Sequence, residues 1–256
     1  MSDAASAPVA LDHELRGSGP PVVLIHGITE DRRTWEPLVG GLAGTHQVLA
    51  VDLRGHGGSP SVAPYDLEAM ANDVNVLVER LGLAEPLVVG HSLGGMVATA
   101  YAAASSTRAV VNVDQPLDLV SFQDQLREVE PVLRGDGFAA VAEHLFTSMQ
   151  GPLSPAQASW IGGIRTPKQE VLLGVWAPVF DLTADELGRM VDAIASAVAV
   201  PYLAIHGIDP GPGYAEWLTS RIPAAEVEIW DNHGHYPHLI DPSRFLERLR
   251  EFDPAI

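Results

Sequence analysis

The sequence contains no cysteine, which excludes disulfide bonds, thiolate nucleophiles, zinc–thiolate sites and iron–sulfur clusters. Positive charge is also scarce. Lys168 is the only lysine, and 15 basic residues stand against 33 acidic ones, for a formal net charge of −18. This balance argues against a protein that binds nucleic acid or docks on an anionic membrane. The acidity is instead expected to keep the protein in solution.

Long apolar segments are missing as well. No apolar run reaches the roughly 18 residues that a membrane-spanning helix needs. The first residues lack the basic head and the apolar core of a signal peptide. We therefore expect a cytoplasmic protein that acts on a small molecule and contacts neither nucleic acid nor membrane. The sequence leaves its oligomeric state open.

What is present is a series of short apolar runs that end in glycine or in a polar residue. These runs are PPVVLIHG (20–27), HQVLAVDLRGHG (46–57), EPLVVG (85–90), RAVVNVD (108–114), VPYLAIHG (200–207) and AEVEIW (225–230). Continuous rather than alternating apolar runs are typical of parallel strands buried on both faces. Residues 65–83 show helical spacing, and residues 9–15 alternate as an antiparallel edge strand would. The pattern predicts an α/β fold with a doubly wound, mostly parallel sheet.

The strand pattern stops between residues 117 and 198, where only helical signals separated by proline and glycine occur. We interpret this segment as an all-helical cap, or lid, over one edge of the sheet. The core then consists of residues 1–116 and 199–256.

Ser92 lies in G-H-S-L-G, between the end of an apolar run and the start of a small-residue helix. A sharp turn at this point would hold the serine hydroxyl out at the end of the sheet, with Gly90 and Gly94 small enough to allow the turn. The alternative is a strand–helix turn without chemistry, but such a turn does not need a serine at its apex. Ser92 is therefore the predicted nucleophile.

A serine hydroxyl needs a base in contact with it, and the base needs an orienting acid. His235 follows Gly234 in the loop after the last predicted strand, so we expect it to reach Ser92 as the base. His233 and His238 are then expected to be solvated or to cap helices. No metal or other cofactor is expected.

Two carboxylates compete for the place of the acid. Asp209 lies in the loop after the penultimate strand, which suits the chain order serine, acid, histidine. Asp114 ends the strand at 108–114 and is the alternative. We favour Asp209, although an aspartate before Pro210 also opens turns.

The remaining predictions concern the oxyanion and the substrate. The backbone N–H groups of Leu93 and Ile28 are predicted to form the oxyanion hole, and His26 is expected to hold the loop of Ile28 by hydrogen bonds. Large apolar side chains of the cap are candidates for the substrate pocket, although helical aromatic residues are more often core. These candidates are Phe146, Met149, Trp160, Trp176 and Phe180.

Taken together, these motifs resemble the α/β-hydrolase superfamily, in its lidded, serine-nucleophile branch of esterases and haloperoxidase-like proteins. The resemblance spans nearly the whole chain. It consists of H-G at 26–27, D-L-R-G-H-G-G-S at 52–59, G-H-S-L-G-G at 90–95, H-G at 206–207 and G-H-Y-P-H-L-I-D-P at 234–242. It implies a cap inserted after strand 6 of the family's usual eight strands. The N-terminal part of this chain is short, so we expect one of the eight strands to be missing. The family's usual acid position corresponds here to Pro210, one residue after Asp209.

The predicted function is hydrolysis of a carboxylic ester or lactone of a small, partly hydrophobic molecule through an acyl-enzyme. One alternative is a carbon–carbon bond hydrolase of ring-cleavage products, or a cofactor-independent haloperoxidase or perhydrolase, with the same three residues. Another, from a different class, is a ligand receptor that keeps the fold and turns over slowly or not at all.

Overall fold

The computed structural model describes residues 7–253 as a twisted sheet with helices on both faces. Residues 1–6 and 254–256, which the predicted core boundaries include, lie outside the described residues. The seven strands are β1 (His13–Gly17), β2 (Pro21–Ile25), β3 (Gln47–Val51), β4 (Leu87–His91), β5 (Ala109–Val113), β6 (Tyr202–His206) and β7 (Ala225–Ile229). Each of the six predicted buried runs overlaps one of these strands, and β4 extends one residue past its run. The predicted edge segment 9–15 overlaps β1, which begins four residues and ends two residues later than predicted.

The order of the strands across the sheet is β1-β3-β2-β4-β5-β6-β7. Only β1 is antiparallel, pairing His13 with Val51 of β3, and the other five pairings are parallel. This confirms the predicted doubly wound, mostly parallel sheet. Because parallel strands end at the same edge, the loops after β2, β4, β5, β6 and β7 share one side of the molecule.

Alternate residues of each strand face opposite layers of the core. Val23 and Ile25 of β2 belong to the larger apolar cluster, which includes α2 and α3, whereas Val22 and Leu24 face the smaller cluster with α1 and α11. The core helices are α1 (Glu36–Leu42), α2 (Leu67–Arg80), α3 (Leu93–Ala104), α9 (Tyr214–Thr219), α10 (Pro237–Ile240) and α11 (Pro242–Phe252), with a short 3₁₀ turn at Arg32–Trp35.

The segment between β5 and β6, which lies within the described residues, contains helices and no strand. After a 3₁₀ turn at Leu119–Phe122 come α4 (Gln123–Leu133), α5 (Phe138–Met149), α6 (Pro155–Ile164), α7 (Gln169–Asp181) and α8 (Ala184–Ser196). Ser154 and Thr183 each form a capping box that begins a helix. We call residues 119–196 the insert; they lie within the predicted cap of 117–198. The insert follows the fifth strand here, because this chain has seven described strands rather than eight.

No helix among residues 7–253 combines the length and the hydropathy that crossing a bilayer requires.

Candidate active site

Ser92 occupies a sharp turn between β4 and α3. Its backbone has φ 52° and ψ −124°, a strained conformation for a residue with a side chain. The turn depends on small neighbours. A Cβ at Gly90 would lie 1.9 Å from the carbonyl oxygen of Gly94, and a Cβ at Gly94 would lie 2.2 Å from that of Ile25. The two flanking glycines are therefore required by the close approach of the backbone.

The turn leaves the Ser92 side chain available. Ser92 is the residue before α3, but its hydroxyl makes no capping hydrogen bond with that helix. Both Ser92 and His235 line one large cavity. The structure therefore brings the predicted nucleophile and base to the same cavity.

Asp114 is the acid that contacts His235. His235 Nδ1 lies 2.6 Å from Asp114 Oδ2. The other carboxylate oxygen, Oδ1, accepts hydrogen bonds from the backbone N–H groups of Gly207 at 2.7 Å and Ile208 at 3.0 Å. Burial would raise the pKa of Asp114, but the hydrogen bond and charge of His235 and the Ile208 amide outweigh burial and lower the pKa. The carboxylate is thus ionised and fixed between the ends of β5 and β6.

The preference for Asp209 over Asp114 is wrong. Asp209 Oδ1 accepts a hydrogen bond from the Gly211 N–H at 2.8 Å, at an exposed position within its own loop. Asp114, at φ 51°, turns its side chain across the end of the neighbouring β6 instead. The carboxylate of Asp209 is therefore engaged in a local turn. Asp114, which the sequence analysis gave as the alternative acid, contacts the imidazole of His235.

The backbone of His235 is held from both sides. Its N–H donates to the Met149 carbonyl at 2.9 Å, and its carbonyl oxygen lies 2.7 Å from His91 Nε2. Since the carbonyl can only accept, His91 Nε2 carries the proton. With Nδ1 engaged by Asp114, Nε2 of His235 is the nitrogen left for a group in the cavity.

Ile28 and Leu93 also line this cavity. Leu93 is the first residue of α3, where backbone N–H groups have no partner within the helix. In residues 7–253, neither the Ile28 nor the Leu93 N–H donates a backbone hydrogen bond in a turn or loop. Leu93 follows Ser92 directly, and Ile28 follows Gly27, where an added Cβ would lie 3.2 Å from the Cβ of Ser92.

The cavity has a volume of about 1350 Å³ and lies between the sheet edge and the insert. Phe146, Met149 and Trp176 line it as predicted. The prediction is wrong for two others: Trp160 packs with Ile161, Tyr236 and Leu239, and Phe180 is buried in the main core under Arg134. Both are structural aromatic residues of the insert.

The other histidines have mixed outcomes. His26 is structural as predicted, with Nδ1 at 2.7 Å from the Gly27 carbonyl and Nε2 accepting from the Leu53 N–H at 3.0 Å. His233 lies in hydrogen-bond range of the Trp230 and Asp231 carbonyls. The expectation for His238 is wrong, because it is fully buried. Within the described chain, no three His, Asp or Glu side chains converge as a metal-binding group.

Sequence reasoning missed Glu30, a buried carboxylate behind the histidine loop. Glu30 is 3% exposed and accepts hydrogen bonds from the Tyr236 hydroxyl and, at 3.2 Å, from Thr34. Arg165, which ends α6 of the insert, donates to the same Tyr236 oxygen at 2.6 Å. Burial would raise the pKa of Glu30, but the nearby His91 ring and the Tyr236 hydroxyl lower it far below the usual range. We call Glu30, Tyr236 and Arg165 the rear cluster.

The chain belongs to the alpha/beta hydrolase family, whose model matches residues 22–248. It is 28% identical to 2-(acetamidomethylene)succinate hydrolase of Mesorhizobium japonicum, over 96% of this chain and 92% of that protein. It is 35% identical to lipase LipV of Mycobacterium tuberculosis, over 66% of this chain and 58% of that protein. Among solved structures, an esterase from Thermogutta terrifontis matches with a TM-score of 0.74 and 24% identity, covering 95% of this chain and 92% of that one. The chain is therefore an enzyme, a hydrolase.

Proposed function

We propose that this protein is a serine hydrolase that cleaves a carboxylic ester or lactone of an uncharged, largely hydrophobic molecule. The observation that carries the proposal is the Asp114–His235 hydrogen bond beside the cavity that Ser92 lines. The names of the esterase and lipase relatives are consistent with it.

In the proposed reaction, the Ser92 hydroxyl attacks the substrate carbonyl while His235 Nε2 accepts its proton. The carbonyl oxygen becomes an oxyanion, which the Ile28 and Leu93 N–H groups stabilise. His235 then donates the proton to the departing alcohol, and Ser92 is left as an ester. A water molecule, deprotonated by His235, attacks this ester. The bond to Ser92 then breaks, His235 returns the proton to the Ser92 oxygen, and the acid is released. Asp114 holds the imidazole in the tautomer with Nδ1–H and stabilises its protonated form.

The charge of the cavity favours uncharged substrates. Among its lining residues in the described chain there is no lysine and no arginine, whereas Asp66, Glu68 and Asp114 contribute carboxylates. An acyl group with a free carboxylate would find no cation there. The substrate named for the relative from Mesorhizobium japonicum is a dicarboxylate, so its chemistry does not transfer to this cavity.

The same observation weighs against the carbon–carbon hydrolase of ring-cleavage products. Such substrates carry a carboxylate, which a basic side chain at the cavity would have to bind. Among the basic residues of the insert, we consider Arg165 and Lys168 for this role. Arg165 instead donates to Tyr236 and to the Phe146 carbonyl, and Lys168 donates to the Gly55 carbonyl and to Ser61.

Covalent labelling tests the proposal. A fluorophosphonate probe is expected to label the wild-type protein at Ser92, and p-nitrophenyl esters are expected to be hydrolysed. Ser92→Ala should abolish labelling and lower kcat/KM by roughly 10³- to 10⁶-fold. Ser106→Ala, at an exposed serine just beyond α3, is the matched control and should behave as wild type. A protein that is neither labelled nor active would instead be the ligand receptor, and the proposal would be wrong.

A further inference from the structure

The cavity does not end beside Ser92. It continues along one face of α3, where Leu93, Met96, Ala100, Ala103 and Ala104 line it. These residues recur at intervals of three, four and seven, which places them on one side of a helix. From Leu93 to Ala104 the helix advances about 16 Å, at about 1.5 Å per residue. The cavity lining thus extends along the helix that begins beside the predicted nucleophile.

The floor of this part of the cavity is made of small side chains. Beyond Met96, all of the lining side chains that α3 supplies are alanines. Alanines on a helix face often serve close helix packing. Although α2 and α8 pack against α3, Ala100 and Ala103 also line the cavity, so their small side chains leave room for it beside the helix. The small residues therefore keep a groove open.

The walls and the roof of the groove are mainly apolar. The cavity lining includes Val175, Trp176 and Val179 of α7, Ile194 of α8 and Ala71 of α2, together with the polar α2 residues Glu68, Asn72 and Asn75. As noted above, no lysine or arginine lines it in the described chain. The far end opens to solvent, because Ala104 and Ala197 are exposed there. Such a groove suits a flexible hydrocarbon chain better than a compact or charged group.

We propose that this groove binds the acyl chain of the substrate, and that the chain is linear, uncharged and roughly ten carbons or longer. A length of about 16 Å is close to one leaflet of a bilayer's hydrocarbon core, which is about 30 Å thick in total. The carbonyl lies at Ser92 and the chain runs toward Ala104. This inference rests on the proposed function, because it assumes that Ser92 is acylated.

The first test is the chain-length dependence of the wild-type enzyme. The p-nitrophenyl esters from acetate to palmitate are compared by kcat/KM, below their solubility limits. Each methylene buried in the groove gains at most about fourfold, so we expect kcat/KM to rise at least about tenfold from butyrate to decanoate. Beyond laurate the chain reaches solvent, and the rise should stop. A maximum at acetate or butyrate would overturn the inference.

A second comparison isolates charge at constant length. The p-nitrophenyl monoester of sebacic acid, which has ten carbons like decanoate but ends in a carboxylate, should be hydrolysed at least about tenfold more slowly than the decanoate ester. Equal rates would mean that the chain does not lie in this apolar groove, which lacks lysine and arginine in the described chain.

Substitutions of the α3 alanines that line the groove test where the acyl chain of the substrate lies. Ala100→Phe fills the middle of the groove and should lower the ratio of laurate to acetate kcat/KM by at least about tenfold. Ala104→Phe, at the open end, should lower this ratio less and only for the longest esters. Ala224→Phe, at an exposed alanine before β7 that does not line the cavity, is the control and should leave the ratio unchanged. An unchanged ratio in Ala100→Phe would place the chain elsewhere.

Failure of this inference is distinguishable from failure of the proposed function. If fluorophosphonate labels Ser92 and short esters are hydrolysed, but long esters gain nothing, only the acyl groove is wrong. If no ester is hydrolysed and Ser92 is not labelled, the serine hydrolase itself is wrong. If Ala100→Phe does not fold, the chain-length series and the sebacate comparison on the wild-type protein still decide the question.

Discussion

Two buried carboxylates flank the histidine loop, and they differ in what they hold. Asp114 and Glu30 are each about 3% exposed, and both have a lowered pKa because hydrogen bonds and nearby charge outweigh burial. Asp114 lines the cavity and is bonded to the ring of His235. Glu30 lies outside the cavity lining and is bonded to the neighbouring Tyr236. A perturbed pKa marks both positions, so it is the contact with the cavity that separates the proposed acid from the structural carboxylate.

The largest expected effect comes from the carboxylate on the cavity side. In Asp114→Asn, the amide oxygen can still accept from the Gly207 and Ile208 N–H groups, which directs the amide N–H₂ toward His235. His235 Nδ1 would then have to accept, and the proton would move to Nε2, where it blocks proton transfer from Ser92. We expect kcat/KM for a p-nitrophenyl ester to fall about 10³- to 10⁴-fold.

Asp209→Asn is the matched control for this substitution. The asparagine oxygen can keep the turn bond to Gly211, so turnover should change less than about threefold. Thermal unfolding measured on both variants shows whether the loss in Asp114→Asn reflects a loss of folding. A larger loss in Asp209→Asn than in Asp114→Asn would contradict the assignment drawn from the structure.

The rear cluster should give a smaller effect of a different kind. Tyr236→Phe removes the hydroxyl that donates to the Glu30 carboxylate, so a charge is left buried with fewer partners. We expect a loss of about 1–3 kcal/mol in the free energy of unfolding, measured by urea denaturation. The loop that carries His235 loosens as well, so kcat should fall roughly tenfold with little change in KM.

A double-mutant cycle separates this explanation from a simple loss of packing. In Glu30→Gln the buried charge is removed, so adding Tyr236→Phe should then destabilise the protein less than Tyr236→Phe alone. Additive losses in the cycle would mean that Glu30 and Tyr236 are not coupled, and that the rear cluster does not support the loop as a unit.

The contrast between the two carboxylates also shows what the sequence could predict. The strands were predictable because continuous apolar runs have no other stable place than a sheet buried on both faces. That Ser92 and His235 line one cavity was predictable, because the sharp turn at Ser92 and the loop after the last strand both follow strand ends at the same edge of the sheet. The choice between Asp114 and Asp209 was not, because it depends on which way each side chain turns across the strand ends.

The sequence also could not predict that Glu30 lies near the site, or which aromatic residues of the insert face the cavity, for a related reason. The segment T-E-D-R-R reads as an exposed turn, and only the position just after H-G at 26–27 hinted that Glu30 lies near the site. Trp160 and Phe180 have the same apolar character as Trp176. Which helical aromatic residue faces the cavity depends on how the helices pack, which periodicity alone does not give.

The smallest effect is expected from His238, which lies behind the same loop. It packs against Trp35 and His91, with ring centroids 4.8 and 4.7 Å away. Neither of its ring nitrogens has a hydrogen-bond partner within the described chain. Burial, with the nearby charge of His91, lowers the pKa of His238 well below 6.5. The unfolded chain therefore binds a proton near pH 6.5 that the folded protein excludes, so this residue makes the folded state less stable as the pH falls.

His238→Phe should remove that dependence. At pH 7.5 we expect the free energy of unfolding to change by less than about 1 kcal/mol, because an apolar ring replaces one with two unpaired nitrogens. Between pH 6.5 and 5.5 the wild-type protein should lose up to about 1.4 kcal/mol more than the variant, which is the contribution of one proton. Urea denaturation at several pH values measures both. His144→Phe, at an exposed histidine, is the control, and its free energy of unfolding should depend on pH as in the wild type. If His238→Phe also kept the wild-type pH dependence, His238 would take up its proton in the folded protein. The prediction would then be wrong, because water would reach the ring behind the loop.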